Sequence, residues 1–173
     1  MRELFSWLAF VIAAIISTSC SLVGPRGPLI YSDDSKIAST RAKQIIEAVK
    51  NEDRDALRSV FSQKALDDTE DFDGGTDSFF DFIQGNIMSW ESDFVSGNES
   101  IQYGKRTRIN RFNISIKTDI DDYVLYVIDY FVDTIDPDNE GVNMLLVRTS
   151  EYTENLGMWQ QSMISGILIP EAE

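Results

Sequence analysis

At 173 residues, with 43% apolar and 25% charged side chains, the chain suits one globular domain plus a short targeting or linker segment. Its 29 acidic against 15 basic side chains, a net charge of -14, argue against nucleic acid, which needs clustered Lys and Arg, and against electrostatic docking on anionic lipid. Histidine is absent and cysteine occurs once, at Cys20. That composition excludes an internal disulfide, Ser-His-Asp and Cys-His catalysis, and zinc sites built on His and Cys. No cofactor and no metal is expected.

Residues 1–19 read as a signal peptide. Arg2 supplies a thin charged start, Leu4 to Ile16 is a mostly apolar, uncharged core, and Ser17, Thr18 and Ser19 are small. At about 1.5 Å per residue that core spans about 20 Å, short of the roughly 30 Å hydrocarbon layer, so a spanning anchor is the weaker reading. Small residues before a lone cysteine resemble the bacterial lipobox. In that motif the thiol receives a diacylglycerol and cleavage leaves the cysteine first, with further fatty acyl chains such as palmitate. Mapped here, Ser19 precedes the cleavage and Cys20 is the lipidated residue. Ser17 stands where the motif favours Leu, and an ordinary cleaved signal peptide remains the alternative. Residues 20–34 then read as the lipidated cysteine and a Gly/Pro-broken linker, and 35–170 as the folded domain.

In the domain, "SKIASTRAKQIIEAVK" places Ala38, Ala42, Ile45, Ile46 and Val49 at helical spacing. "NEDRDALRSVFSQKAL" predicts a second helix, with Asp53 as N-cap and Leu57, Val60, Phe61 and Ala65 on one face. "DTEDFDGGTD" reads as an acidic turn, and Ser78 with Asp81 as the capping box of a short third helix, "SFFDFIQG". From Asn86 the period falls to two. "RFNISIKT" alternates, with Phe112, Ile114 and Ile116 on one face. "DYVLYVIDYFVD" is apolar on both faces. Because a charge belongs near water, Val124, Tyr126, Ile128, Tyr130 and Val132 are placed toward the core, and Asp129 with Asp133 outward. "GVNMLLVRTSEY" and "WQQSMISGILI" read as two further strands. The sum is an α+β fold: three N-terminal helices packed on a curved antiparallel sheet of about four strands.

The "NEDRDALRSVFS" helix, the long strands and the "DPDNEGV" hairpin resemble a family of uncharacterised bacterial lipoproteins, mostly Gram-positive, over roughly Ser35 to Pro170. That resemblance implies a nuclear transport factor 2-like (cystatin-like) domain and an extracytoplasmic, lipid-anchored location at the cell membrane. It implies no reaction.

Four constellations carry candidate chemistry. Asp136, Asp138, Glu140 and Gly141 fit the opening of a calcium loop, but its twelfth position is Val147, and a hairpin turn is the simpler reading. Asp67, Asp68, Glu70, Asp71 and Asp73 lack fixed ligand spacing and read as a solvated helix end. Asn98 and Asn113 open glycosylation patterns that a bacterial source would make incidental. Trp90, Tyr126, Tyr130 and Trp159 are candidates to line a pocket for a small amphipathic ligand, or else fill the core. The function expected is a membrane-tethered, non-enzymatic binding or interaction domain whose partners are the membrane, through its anchor, and a small amphipathic ligand or a protein. The alternative is an acid-base enzyme using Asp129 and a nearby tyrosine, which requires Asp129 to face an enclosed pocket.

Overall fold

A computed structural model of the chain describes residues 28–150 and 166–168. Cys20, Trp159 and the signal segment lie outside the described residues. The chain divides at Asp33, and the unit Asp33–Glu173 is the domain considered below. Among the described residues four helices precede a sheet: α1 (Pro28–Lys50), α2 (Arg54–Val60), α3 (Gln63–Asp68) and α4 (Phe72–Phe82). Then come β1 (Ile87–Gln102), β2 (Lys105–Thr118), β3 (Asp122–Asp133), β4 (Gly141–Thr149) and β5 (Gly166–Leu168). The strands lie in chain order, antiparallel from β1 to β4, while β5 runs parallel to β4. The architecture is therefore α+β, with five strands rather than about four and one parallel pair at its end.

The expected helix boundaries shift for local reasons. α1 begins at Pro28 rather than Ser35, consistent with a ring whose fixed φ suits a first helical turn. The stretch expected as one second helix is two. The chain turns extended at Phe61, and Ser62 caps α3 by accepting from the Ala65 amide at 3.0 Å. That break is stapled to the sheet, because the Ser62 amide donates to the Val142 carbonyl at 2.9 Å. Gly141 makes the approach feasible: its φ is +127°, and a Cβ there would lie 2.7 Å from the Ser62 nitrogen. The acidic turn expected before Ser78 is the first half of α4. Asp71 is its N-cap, accepting from Gly74 at 2.9 Å, so Ser78 is interior and donates to the Gly74 carbonyl.

The core lies between helices and sheet. Ala38, Ala42, Ile45, Ile46 and Val49 of α1 are buried, as the spacing predicts, together with Leu57, Ala65, Phe72 and Phe79 of the shorter helices. Opposite them the sheet presents Phe112, Ile114 and Ile116 of β2, Tyr123, Leu125 and Val127 of β3, and Val142, Leu145 and Val147 of β4. These residues pair row by row, Ile114 with Leu125 and Leu125 with Val147. The inward set of β3 is thus the reverse of the one expected. Tyr123, Leu125, Val127 and Asp129 face the helices; Val124, Tyr126, Ile128 and Tyr130 occupy the other face, where Ile128 is buried and the other three are partly buried. β1, which the sequence reading leaves without a named strand, is the longest of the sheet.

Candidate functional site

The inner face of the sheet changes character along the strands. Below it is apolar. Its upper row reads Gly97, Asn110, Asp129 and Val142 across β1 to β4, since these residues are register partners. α1 crosses this row. The Asp34 carbonyl accepts from Asn110 Nδ2 at 3.2 Å, and a Cβ on Gly97 would lie 3.1 Å from Asp34 Oδ2. Two turns on, Arg41 Nε donates to Asp129 Oδ2 at 3.1 Å. The helix therefore runs across the strands, carrying one acid to β1 and β2 and one base to β3.

Asp129 is fully buried, and burial pushes its carboxyl above the usual range, partly countered by the charge and hydrogen bond of Arg41. Its Oδ1 and the Oδ1 of the adjacent buried Asn110 have no hydrogen-bond partner among the described residues. Asp34 is ion-paired with Arg108, and burial raises its carboxyl too, with Arg108 opposing. The Arg108 guanidinium stacks 4.5 Å from the Phe131 ring centroid. Arg41, about one-fifth exposed, reaches the surface in a cleft of about 200 Å³ bordered by Ser59, Phe61, Tyr130, Phe131 and Glu140. Arg41 Nη1 also donates to Gln44 Oε1 at 3.2 Å, beside a second shallow cleft of about 340 Å³ along α1. A guanidinium in a cleft, backed by a carboxylate that orients it, is built to receive an acceptor group such as a carboxylate or carbonyl.

Of the expected pocket residues, the three described, Trp90, Tyr126 and Tyr130, do not gather. Trp90 pairs with Ile116 and packs against the core on the helix side. Tyr126 pairs with Asn113 on the opposite face, where burial raises its phenol pKa, and Tyr130 only borders the Arg41 cleft. Asp129 is inward rather than outward, because α1 brings Arg41 to it from 88 residues away. No periodicity within β3 encodes that partner. A lone Arg on the inner face of a predicted amphipathic helix, between Ala38 and Ala42, is the signal that points to it.

The "DPDNEG" segment is a single 3-10 turn, Pro137–Asn139, organised by Asp133. Asp133 Oδ1 accepts from the Ile135 and Asp136 amides, at 2.9 and 3.1 Å, and its Oδ2 from Asn139 Nδ2 at 3.2 Å. Burial pushes the Asp133 carboxyl up, but these hydrogen bonds, together with one from Thr107, outweigh it and hold it below the usual range. The acidic run is spent singly: Asp67 accepts from Gln63, Asp71 caps α4, and Asp73 pairs with Arg58 at 2.8 Å. Among the described residues no three acidic or thiol groups gather to hold a metal ion. None of the helices among those residues is long and apolar enough to cross a membrane.

The site is thus a buried ion pair lying beneath shallow clefts of an α+β domain. Residues 44–154 match a family described as a domain of unknown function, DUF5104, and the chain belongs to that family. No curated protein matches the chain.

Proposed function

We propose that the chain is a membrane-tethered extracytoplasmic lipoprotein, anchored through Cys20, whose domain is a non-enzymatic binding module of the nuclear transport factor 2-like (cystatin-like) type. The order of helices followed by a long-stranded antiparallel sheet supports that fold label. The observation that carries binding over catalysis is the state of Asp129. Its Oδ2 is held by Arg41, the side chain has no exposure, and Arg41 rather than Asp129 meets the cleft. A general base needs a path to the proton it takes, and Asp129 has a guanidinium across that path. The cleft is smaller than the roughly 300–1,000 Å³ of typical ligand pockets, so it suits the end of a small amphipathic molecule or a side chain of a protein partner.

The acid-base alternative keeps one observation in its favour, the raised Asp129 carboxyl with an unpartnered Oδ1. The anchor is tested by metabolic labelling with a fatty acid. Wild type takes up the label and sediments with membranes, while Cys20→Ala does neither. Membrane attachment of Cys20→Ala equal to wild type would refute the lipoprotein reading.

A further inference from the structure

Beyond the row where α1 crosses the sheet, the β1–β2 hairpin continues without helix cover. From Gly97 to Lys105 every residue is exposed. The turn at its end is Tyr103-Gly104, with φ of +52° and +79°. Positive φ at both central positions is the geometry of a two-residue hairpin turn that favours Asn-Gly or Asp-Gly. A bulky aromatic side chain there is strained. Nothing in the domain compensates, because Tyr103 is fully solvent-exposed at 105% of its reference surface. Fold stability alone would select Asn at this position, so the strained tyrosine points to a use outside the fold.

Two more exposed apolar side chains share this end. Ile101 lies two residues before Tyr103 and pairs with Arg106. Ile135 follows Thr134, whose amide donates to the Arg106 carbonyl at 2.8 Å. Asp34, where the chain from Cys20 has just entered the domain, sits over Gly97 at the base of the same hairpin. Because α1 begins at Pro28, the linker before it is residues 20–27, which fully extended reach at most about 28 Å. A bilayer holding the anchor is thus within reach of this end of the domain. Tyrosine and isoleucine flanked by Lys105 are the residues that partition into a membrane interface, the ring at headgroup level and the cation in water.

We infer that the β1–β2 hairpin tip, Ile101, Tyr103 and Lys105, is a second membrane contact that inserts into the interface of the bilayer carrying the lipid anchor and so fixes the orientation of the tethered domain. The inference rests on the lipoprotein reading. Its test separates the two. In the acylated chain Cys20 is blocked, so Tyr103→Cys and Ile120→Cys each supply one free thiol for an environment-sensitive fluorophore. Ile120 is also a large exposed apolar residue, at 67% against 105% for Tyr103, but lies at the opposite end, against Gly85. Each chain is reconstituted in phosphatidylcholine vesicles bearing a nitroxide near the acyl carbonyl, and flotation reports anchoring. The expected result is flotation of both, with the label at 103 quenched severalfold more than the label at 120. Flotation with equal quenching overturns the tip contact and leaves the anchor standing. Failure to float overturns the lipoprotein reading and this inference with it. Quenching that is absent while the label at 103 shifts with protein concentration alone identifies a second copy of the chain as the occupant and overturns the inference. As a fold control, Tyr103→Asn keeps or raises the melting temperature; a fall would assign Tyr103 to the fold and overturn the premise.

Discussion

The lower and upper rows of the inner sheet face solve the same problem by opposite means. The lower rows, Ile114, Leu125 and Val147 under Ile45 and Ile46, exclude water with apolar side chains alone. The upper row buries Asn110 and Asp129 and depends on partners carried in by α1, the Asp34 carbonyl for Asn110 and the Arg41 guanidinium for Asp129. Apolar rows are self-sufficient, because any well-shaped neighbour satisfies them. A polar row is satisfied only by particular partners at particular distances, so it fixes where α1 crosses. The lower rows supply burial, and the upper row supplies registry at some cost in desolvation.

The largest effects should come from breaking each half by its own mechanism. Leu125→Ala leaves a cavity in the lower rows and should cost about 3 kcal/mol in urea unfolding, within the usual range for buried leucine. Arg41→Ala leaves Asp129 buried without its counter-charge and should cost about 3 kcal/mol as well, although it removes an only partly buried side chain. A cost under about 1 kcal/mol would mean that water reaches Asp129 and that the two halves do not differ as described. Next comes Gly141→Ala, where positive φ and contact with the Ser62 amide should together cost about 2 kcal/mol and loosen α3 from β4.

A smaller effect separates the rows by pH. The raised Asp129 carboxyl binds its proton more tightly folded than unfolded. Its stabilising contribution is full below about 3.8 and is lost as pH rises through the folded value. Asp129→Asn does not titrate, so it should gain stability relative to wild type from pH 4 upward. Asp133 is shifted the other way. Its contribution is present above about 3.8 and is lost as pH falls through its lowered value, so Asp133→Asn should approach wild type only in acid. Parallel slopes for the two variants would refute the distinction. The smallest change is expected of the double variant Arg41→Leu with Asp129→Leu, which turns the upper row apolar and should alter stability by no more than about 1 kcal/mol. Hydrogen exchange at β3 amides would show whether α1 then loses its fixed crossing.

Much of the fold was legible in the chain. The α1 face, the Asp53 cap, the alternation of β2 and the two-sided apolar run of β3 follow from periods of 3.6 and 2. β1 was not legible, because along its sixteen residues Ile87, Trp90 and Phe94 alone pack against the core, and Gly97-Asn98 imitate a turn. The break at Phe61 was hidden for a different reason. Its cause is a hydrogen bond to Val142, 80 residues away, and local propensity favours continuing the helix. For the site, parity along β3 separated two faces but left open which one is inward. The rule that charge seeks water then chose the wrong one.

Acting alone, then, the sequence determined most of the element types, the α+β order and that cysteine occurs once, at Cys20, because periodicity, capping and composition are local properties. Tertiary structure decided which face of β3 is buried, that Arg41 meets Asp129, that Trp90 and Tyr126 stand on opposite sides of the sheet, and that the Tyr103 turn projects bare of the helices. Each of those depends on residues far apart in the chain. A buried charge is tolerable only when a distant element delivers its partner, and no local pattern records that delivery.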